Sequence, residues 1–234
     1  MPGSLKGGGR VNILVIDIGG TSVKVWKTGE RDCTEVPSGP TCTPQVLVNH
    51  VKSAAAGWHF DRISMGYPGI VHHGRPAQEP FNLGAGWLEF DWPEAFGCPI
   101  RIMNDACLQA LGSYEAGCML YLGLGTDIGT ALVYDGKIVP LALGHLQFRD
   151  ATFSTCLSRE GLQQHGNAVW QAAVRDAGAQ LKAAFLADYV VFGGGNAKNV
   201  EDLPEGCRKG GNHNAYFGGL RIWDEGKFKA DDAG

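Results

Sequence analysis

The sequence predicts an α/β protein made of two similar halves, and three observations carry that expectation. A strand, a Gly/Thr turn and a second strand occur twice, as DIGGTSVKVWKTG at 17–29 and GLGTDIGTALVYDG at 123–136. In both halves, strand-like apolar runs are followed by helical stretches and further strands, the order that builds sheets flanked by helices. The 234 residues, 44% hydrophobic and 19% charged, suit one large domain or two small ones at about 150 residues per domain. A chain of this length buries roughly 70% of its unfolded surface and needs no covalent staples.

The elements follow in order. Residues 1–10, MPGSLKGGGR, lack an apolar run and read as a flexible tail outside the fold, not as a signal peptide. VNILVIDIGG at 11–20 is a nearly unbroken apolar run closed by two glycines, which suits a buried strand. Residues 21–29 alternate, with Val23 and Val25 on one face and Ser22 and Lys24 on the other, so the pair forms a hairpin turning near 19–21. Thr43 and Pro44 open a helix to about Ala56, with proline at its first position. RISMGYPGIV at 62–71 is a short strand entering a Gly/Pro loop, and 72–98 is rich in turn formers and reads as a long loop region. CPIRIMND at 98–105 is a strand, and 105–117 is a helix behind it. From Cys118 the pattern restarts as strand, Gly-rich turn, strand, tight turn at Asp135 and Gly136, and strand. Residues 158–187 carry Leu162, Val169, Ala173, Val174, Leu181, Ala184 and Phe185 on a helical period, interrupted by glycines at 166 and 178. DYVVFGGGN at 188–196 is a strand running into three glycines, and from about 212 a short helix precedes a charged end.

Composition excludes several classes. The net charge of −4 argues against a general nucleic-acid binder, which carries a basic patch. No stretch approaches 18 apolar residues, so no membrane span is expected. The seven cysteines form no C-x-x-C pair and no Cys/His cluster with metal spacing, so they read as reduced thiols of a cytoplasmic protein, most of them small core residues. The 35 glycines are about twice the usual ~7% share and follow no three-residue period. Many sit where apolar runs end, at points where backbone turns tightly or approaches a ligand.

Four segments are candidates for chemistry. Asp17, Gly19, Gly20 and Thr21 form a turn whose amides and hydroxyl suit a phosphate. An acidic residue at the end of a buried strand is costly unless a cation or donors satisfy it, and hydrated Mg²⁺ on Asp17 would do so. The other reading is an ordinary hairpin whose Asp caps the turn. Gly125, Thr126, Gly129 and Thr130 repeat the arrangement. Two such turns suit a phosphoryl group in transfer, whose charge lies on several oxygens. Asn104 and Asp105 end a strand where a helix begins, so Asp105 is either a general base facing a cleft or part of a helix N-cap. Gly193, Gly194 and Gly195 are either a flat bed for a purine or phosphate chain, or a strand-to-helix turn.

Taken in order, DIGGTSVK, MGYPGIV, FNLGAGW, NDA, LGTDIGTALV, LGHLQF and FGGGN resemble the ROK family of sugar kinases over about residues 11–200, the polyphosphate glucokinase-like branch best of all. The resemblance implies two ribonuclease-H-like α/β lobes of the actin/hexokinase-like ATPase fold. The expected lobes are residues 11–104, with the first phosphate turn and the sugar site, and 105–234, with the second turn and the nucleotide side, the last helix returning to the first lobe. It implies phosphoryl transfer from ATP or polyphosphate to a hexose, with Mg²⁺, without zinc, in a cytoplasmic homodimer. Asp17, Gly19, Gly20 and Thr21 match the first phosphate turn, with Asp17 holding Mg²⁺ through water, and Gly125, Thr126, Gly129 and Thr130 match the second. Asp105 matches the base and Asn104 a sugar ligand. Gly69, Asn82 and His145 match sugar-pocket positions, and Gly193, Gly194 and Gly195 the nucleotide-side loop.

The departures set the remaining questions. The family usually has a glutamate three residues before the histidine, where Ala142 stands here, and its polyphosphate branch has another two after it, where Gln147 stands. Losing an acceptor at a sugar hydroxyl costs about 1–3 kcal/mol. Asp127 stands where the family commonly has glycine, which favours ATP with Mg²⁺ over long polyphosphate. Trp87 reads either as a sugar-stacking ring or as core. The cysteine-rich zinc motif of larger relatives is absent, and no helix-turn-helix precedes residue 11. A non-catalytic sugar or nucleotide sensor is the alternative to an enzyme.

Overall fold

In a computed structural model, residues 11–30, 32–211 and 213–224 are described. The expected tail at 1–10 and the charged end lie outside them. In the first half, β1 (Ile13–Ile18) is buried except at Asp17 and pairs antiparallel with β2 (Ser22–Lys27), which pairs with β3 (Thr34–Pro37). Thr43 caps α1 (Pro44–Ala54) through its hydroxyl, with Pro44 opening the helix as expected. β4 (Arg62–Tyr67) then pairs parallel with β1. The region 72–98 is more ordered than its turn-rich sequence implies. It holds a small hairpin of β5 (Val71–His72) and β6 (Arg75–Pro76), and a single helical turn, α2 (Trp92–Phe96), capped by the Asp91 side chain. These pieces are two to five residues long, too short for periodicity to register. β7 (Ile100–Asn104) closes the sheet in the order β3-β2-β1-β4-β7, and α3 (Asp105–Ser113) follows at once.

The second half repeats the plan. β8 (Cys118–Leu124), β9 (Ile128–Tyr134) and β10 (Lys137–Leu141) form a meander. Asp135 and Gly136 turn its second hairpin, with φ of 47° and 78°, the left-handed pair that a two-residue hairpin requires. A short hairpin of β11 (Gln147–Phe148) and β12 (Ala151–Thr152) leads to α4 (Phe153–Leu157) and α5 (Arg159–Ala184). Gly166 kinks α5 with φ 76° and ψ 165°, as expected, but Gly178 does not interrupt it. A Cβ at Gly178 would sit 3.0 Å from Phe192, so glycine there lets the helix approach the sheet. β13 (Tyr189–Gly193) and β14 (Cys207–Lys209) complete the order β10-β9-β8-β13-β14. Both sheets thus share one plan, a three-stranded meander extended by two parallel crossovers.

Each sheet has its own apolar core, one around Ile16, Leu47 and Trp87, the other around Leu122, Trp170 and Phe192. A third cluster lies between them, on α3 and on α6 (Asn214–Arg221). α6 follows β14 yet packs on the first sheet, where the Ser64 hydroxyl donates to the Gly219 carbonyl at 2.5 Å. α3 and α6 cross backbone to backbone: a Cβ on Gly112 or on Gly218 would lie 1.8 Å from a carbonyl oxygen of the other helix. Among the described residues no helix is long and apolar enough to cross a membrane.

Candidate active site

The ends of β1, β7, β8 and β13 open on a single cleft of 2410 Å³ between the two sheets. Asp17, Gly19, Gly20, Thr21, Gly69, Asn82, Asn104, Asp105, Gly125, Thr126, Gly129, Thr130, His145, Gly194 and Gly195 all line it. Residues up to 178 positions apart in the chain, Asp17 and Gly195, therefore meet in one space.

In each glycine turn the first glycine's amide reaches forward to a carbonyl, three residues on in the first turn and two in the second. The Gly19 amide donates to the Ser22 carbonyl at 3.0 Å, and the Gly125 amide donates to the Asp127 carbonyl at 3.2 Å. In each, the first glycine closes the turn. Among the described residues, the amides of Gly20, Thr21, Thr126 and Asp127 then have no acceptor. Free amides at the rim of a cleft form a cradle for an anion. Thr130 is different. Its buried hydroxyl donates to the Leu141 carbonyl at 2.9 Å and accepts from the Leu143 amide at 3.1 Å, so it braces β9 instead of presenting a donor.

At the start of α3 the chain separates two roles that the sequence leaves joined. Asn104 is the N-cap, its Oδ1 accepting from the Ala106 and Cys107 amides at 3.0 and 3.3 Å. Its Nδ2 donates to the Gly69 carbonyl at 3.1 Å, tying β7 to the loop after β4. Asp105 is the first helical residue. Its carboxylate accepts the Ala106 amide at 2.8 Å and lines the cleft. Desolvation raises its pKa to about 6 against the lowering effect of that bond and of Asn104.

Asp17 lies next to it. Desolvation, and then the Asp105 charge, push its pKa up to about 7, while Lys24 pulls the other way. Lys24 stands directly opposite Asp17 across the hairpin and lines the cleft. Gly66 makes room for the two carboxylates: a Cβ there would be 3.1 Å from Asp17 Oδ1 and 3.3 Å from the Asp105 Cα. Sequence reasoning missed both Lys24 and Gly66. The strand register would have found the lysine, but the glycine's role follows only from the neighbouring strand. Among the described residues no donor satisfies Asp17, and a second carboxylate adjoins it, so the pair fits the water-mediated Mg²⁺ that the resemblance implies. Among the described residues no group of three or more His, Cys, Asp and Glu could hold a metal ion directly.

One expectation changes and one open alternative closes. Gly193 is buried and does not line the cleft. A Cβ there would lie 2.1 Å from the Tyr121 hydroxyl, so this glycine is needed to pass over a tyrosine, and the cleft begins at Gly194. Gly194 has φ of 77°, and a Cβ on it would strike the Leu124 backbone. Trp87 is fully buried beside Tyr67 and Trp92, which settles it as core. Ala142 and His145 both reach the cleft from the second sheet, but Gln147 does not, its amide donating instead to the Arg149 carbonyl at 3.0 Å.

No family model matches the chain. Among curated proteins it is similar to the polyphosphate glucokinase of Mycobacterium leprae, 24% identical over 211 residues, an alignment covering 80% of this chain and 64% of that protein's length. Among solved structures it is similar to an inorganic polyphosphate/ATP-glucomannokinase from Arthrobacter sp. strain KM, with a TM-score of 0.76 and 24% identity over 89% of this chain and 96% of that one. It is also similar to a ROK family glucokinase from Streptomyces griseus, solved with glucose and AMPPNP, with a TM-score of 0.68 and 16% identity over 92% and 99% of the two chains. With both sheets, their shared strand order and the cleft between them accounted for, the chain is similar in sequence to polyphosphate glucokinases and has the actin/hexokinase-like fold of the ROK sugar kinases.

Proposed function

We propose that the protein phosphorylates a hydroxyl of a hexose, most simply the primary one, using ATP or polyphosphate, and that Asp105 is the general base. One observation carries this reading: two amide cradles and a desolvated carboxylate share one cleft. Asp105 accepts the hydroxyl proton as the oxygen–phosphorus bond forms, a contribution of about 10²–10⁴ in rate. Asn104, Asn82, His145 and the Gly69 loop orient the sugar. The free amides at Gly20, Thr21, Thr126 and Asp127 stabilise the equatorial oxygens of the transferred group. Gly194 and Gly195 leave a flat wall on which the rest of the donor lies. Asp17 would hold Mg²⁺ through water, and the ion would supply neutralisation of the donor phosphates' charge. Closing the lobes excludes water and favours the sugar over hydrolysis of the donor.

A catalytically silent sensor is less favoured, because nothing in sugar binding alone needs Asp105 desolvated beside two phosphate cradles. A cytoplasmic homodimer is part of the proposal, and light scattering tests the dimer. The decisive experiment is a coupled phosphorylation assay over hexoses, amino sugars and N-acyl sugars with ATP or polyphosphate as donor. Turnover that Asp105→Asn abolishes supports the reading. Silence across the panel, with a thermal shift from sugar alone, rejects it.

A further inference from the structure

Resting on that kinase reading, we propose that Arg159 is the donor-side phosphate clamp, binding the phosphates behind the one transferred. Among the described residues four Lys or Arg side chains line the cleft: Lys24, Arg75, Arg101 and Arg159. The first three belong to the first sheet and its loops. Arg101 is also engaged, donating to the Ile222 carbonyl and stacking on Trp223. The second sheet's half, which carries the Gly125 turn and the Gly194–Gly195 wall, therefore brings only Arg159 to a polyanion.

Its placement points the same way. Arg159 is the first residue of α5, where the helix dipole opposes a cation. Its main-chain amide donates to the Gly125 carbonyl at 2.8 Å, which pins the residue to the second turn. Its guanidinium makes no ion pair or hydrogen bond among the described residues. The neighbouring carboxylate does not quench it. Asp127 is held by the Ile128 amide at 2.7 Å and by the Ser154 hydroxyl, and makes no ion pair with Arg159. Arg159 is exposed and lines the cleft that the second turn's free amides also line, so an anion seated on that turn lies within the field of its charge. The planar fork of donors suits a phosphate better than a sugar hydroxyl. Nucleoside triphosphate and inorganic polyphosphate share that chemistry. The contact lies behind the reacting phosphorus, so it binds ground state and transition state alike and acts on donor KM, not on kcat.

The test is titration calorimetry of wild type, Arg159→Ala and Arg159→Lys with AMPPNP and, separately, with tripolyphosphate, beside steady-state kinetics and melting curves. Arg159→Ala is expected to weaken donor binding about tenfold, the worth of one charge-assisted hydrogen bond, and Arg159→Lys to recover part of that. Donor KM rises by the same factor, kcat stays within about twofold, and sugar affinity and Tm are unchanged. A loss confined to tripolyphosphate, or to the nucleotide, supports the clamp and identifies which donor it serves. Equal donor affinity in wild type and Arg159→Ala overturns it, as does a wild type that binds neither probe. Donor binding that depends on Arg159 without any sugar phosphorylation leaves the clamp standing and rejects the kinase reading.

Discussion

Asp17 and Asp105 owe their raised pKa values to the same cause, the removal of water from a narrow floor where they stand side by side. To take a proton Asp105 must be ionised. kcat/KM should therefore rise with pH through about 6 and level off above it, the apparent value belonging to the coupled pair. A pH–rate profile without an acid limb near there would contradict the base role. Asp105→Asn should lower kcat by at least about 10² while sugar binding, measured by calorimetry, survives. Asp17 makes a stability prediction of definite sign. Its folded pKa of about 7 lies above the unfolded 3.8, so between these values the unfolded chain ionises first and the native state loses stability as pH rises. Asp17→Asn should thus raise Tm at pH 8 by a few degrees, at about 2–4 °C per kcal/mol for a chain of this size, and leave it unchanged near pH 3. In the wild type, added Mg²⁺ should raise Tm at pH 8, and the substitution should abolish that response.

At the scale of elements, glycines decide how closely pieces meet. A Cβ on Gly129 would lie 2.7 Å from the Ala106 Cβ, so the second turn reaches the start of α3 only because residue 129 lacks a side chain. Gly129→Ala should destabilise by about 1–3 kcal/mol, the usual cost of overpacking, read from denaturant midpoints. Gly66→Ala is a different test. Its new methyl meets the Leu108 side chain at 3.0 Å, Asp17 Oδ1 at 3.1 Å and the Asp105 backbone at 3.3 Å, so kcat should fall through the displaced carboxylates as well as stability through the core contact, and Gly66→Ala should lower kcat more than Gly129→Ala does. Strong capping made the longer elements legible. Thr43–Pro44 and Asn104 mark helix starts that the structure keeps. β3 and the β5–β6 hairpin were not legible: β3 is a short, exposed edge strand and each hairpin strand has two residues, so neither shows a hydrophobic period. The Asp91–Pro93–Glu94 cap before α2 was a readable signal that 27 residues of turn formers obscured.

For the whole molecule, α6 is the element that makes two lobes one. It belongs to the second half by chain and to the first by packing. The Arg221 guanidinium donates to the carbonyls of Leu111, Gly112 and Tyr114 at 2.6, 3.2 and 2.8 Å, closing the end of α3. The helix that bears Asp105 is thus capped at one end by Asn104 and at the other by α6. Calorimetry should show a single unfolding transition for the wild type. Gly218→Ala, which forces α6 off α3, should split or broaden it, because each sheet keeps its own core.

The local sequence by itself determined the two strand–turn–strand units, the helix starts and the residue types that cradle an anion, because periodicity, capping and glycine freedom act over a few residues. Tertiary structure decided what those residues are for. It gave Asn104 the cap, turned Asp105 to the cleft, engaged the Thr130 hydroxyl, turned Gly193 into a passage over Tyr121, set Gly66 against Asp17 and Asp105, and brought Arg159 to the cleft. Hydrogen-bond partners and close approaches between segments a hundred residues apart depend on how the two sheets pack, and no local pattern encodes that distance.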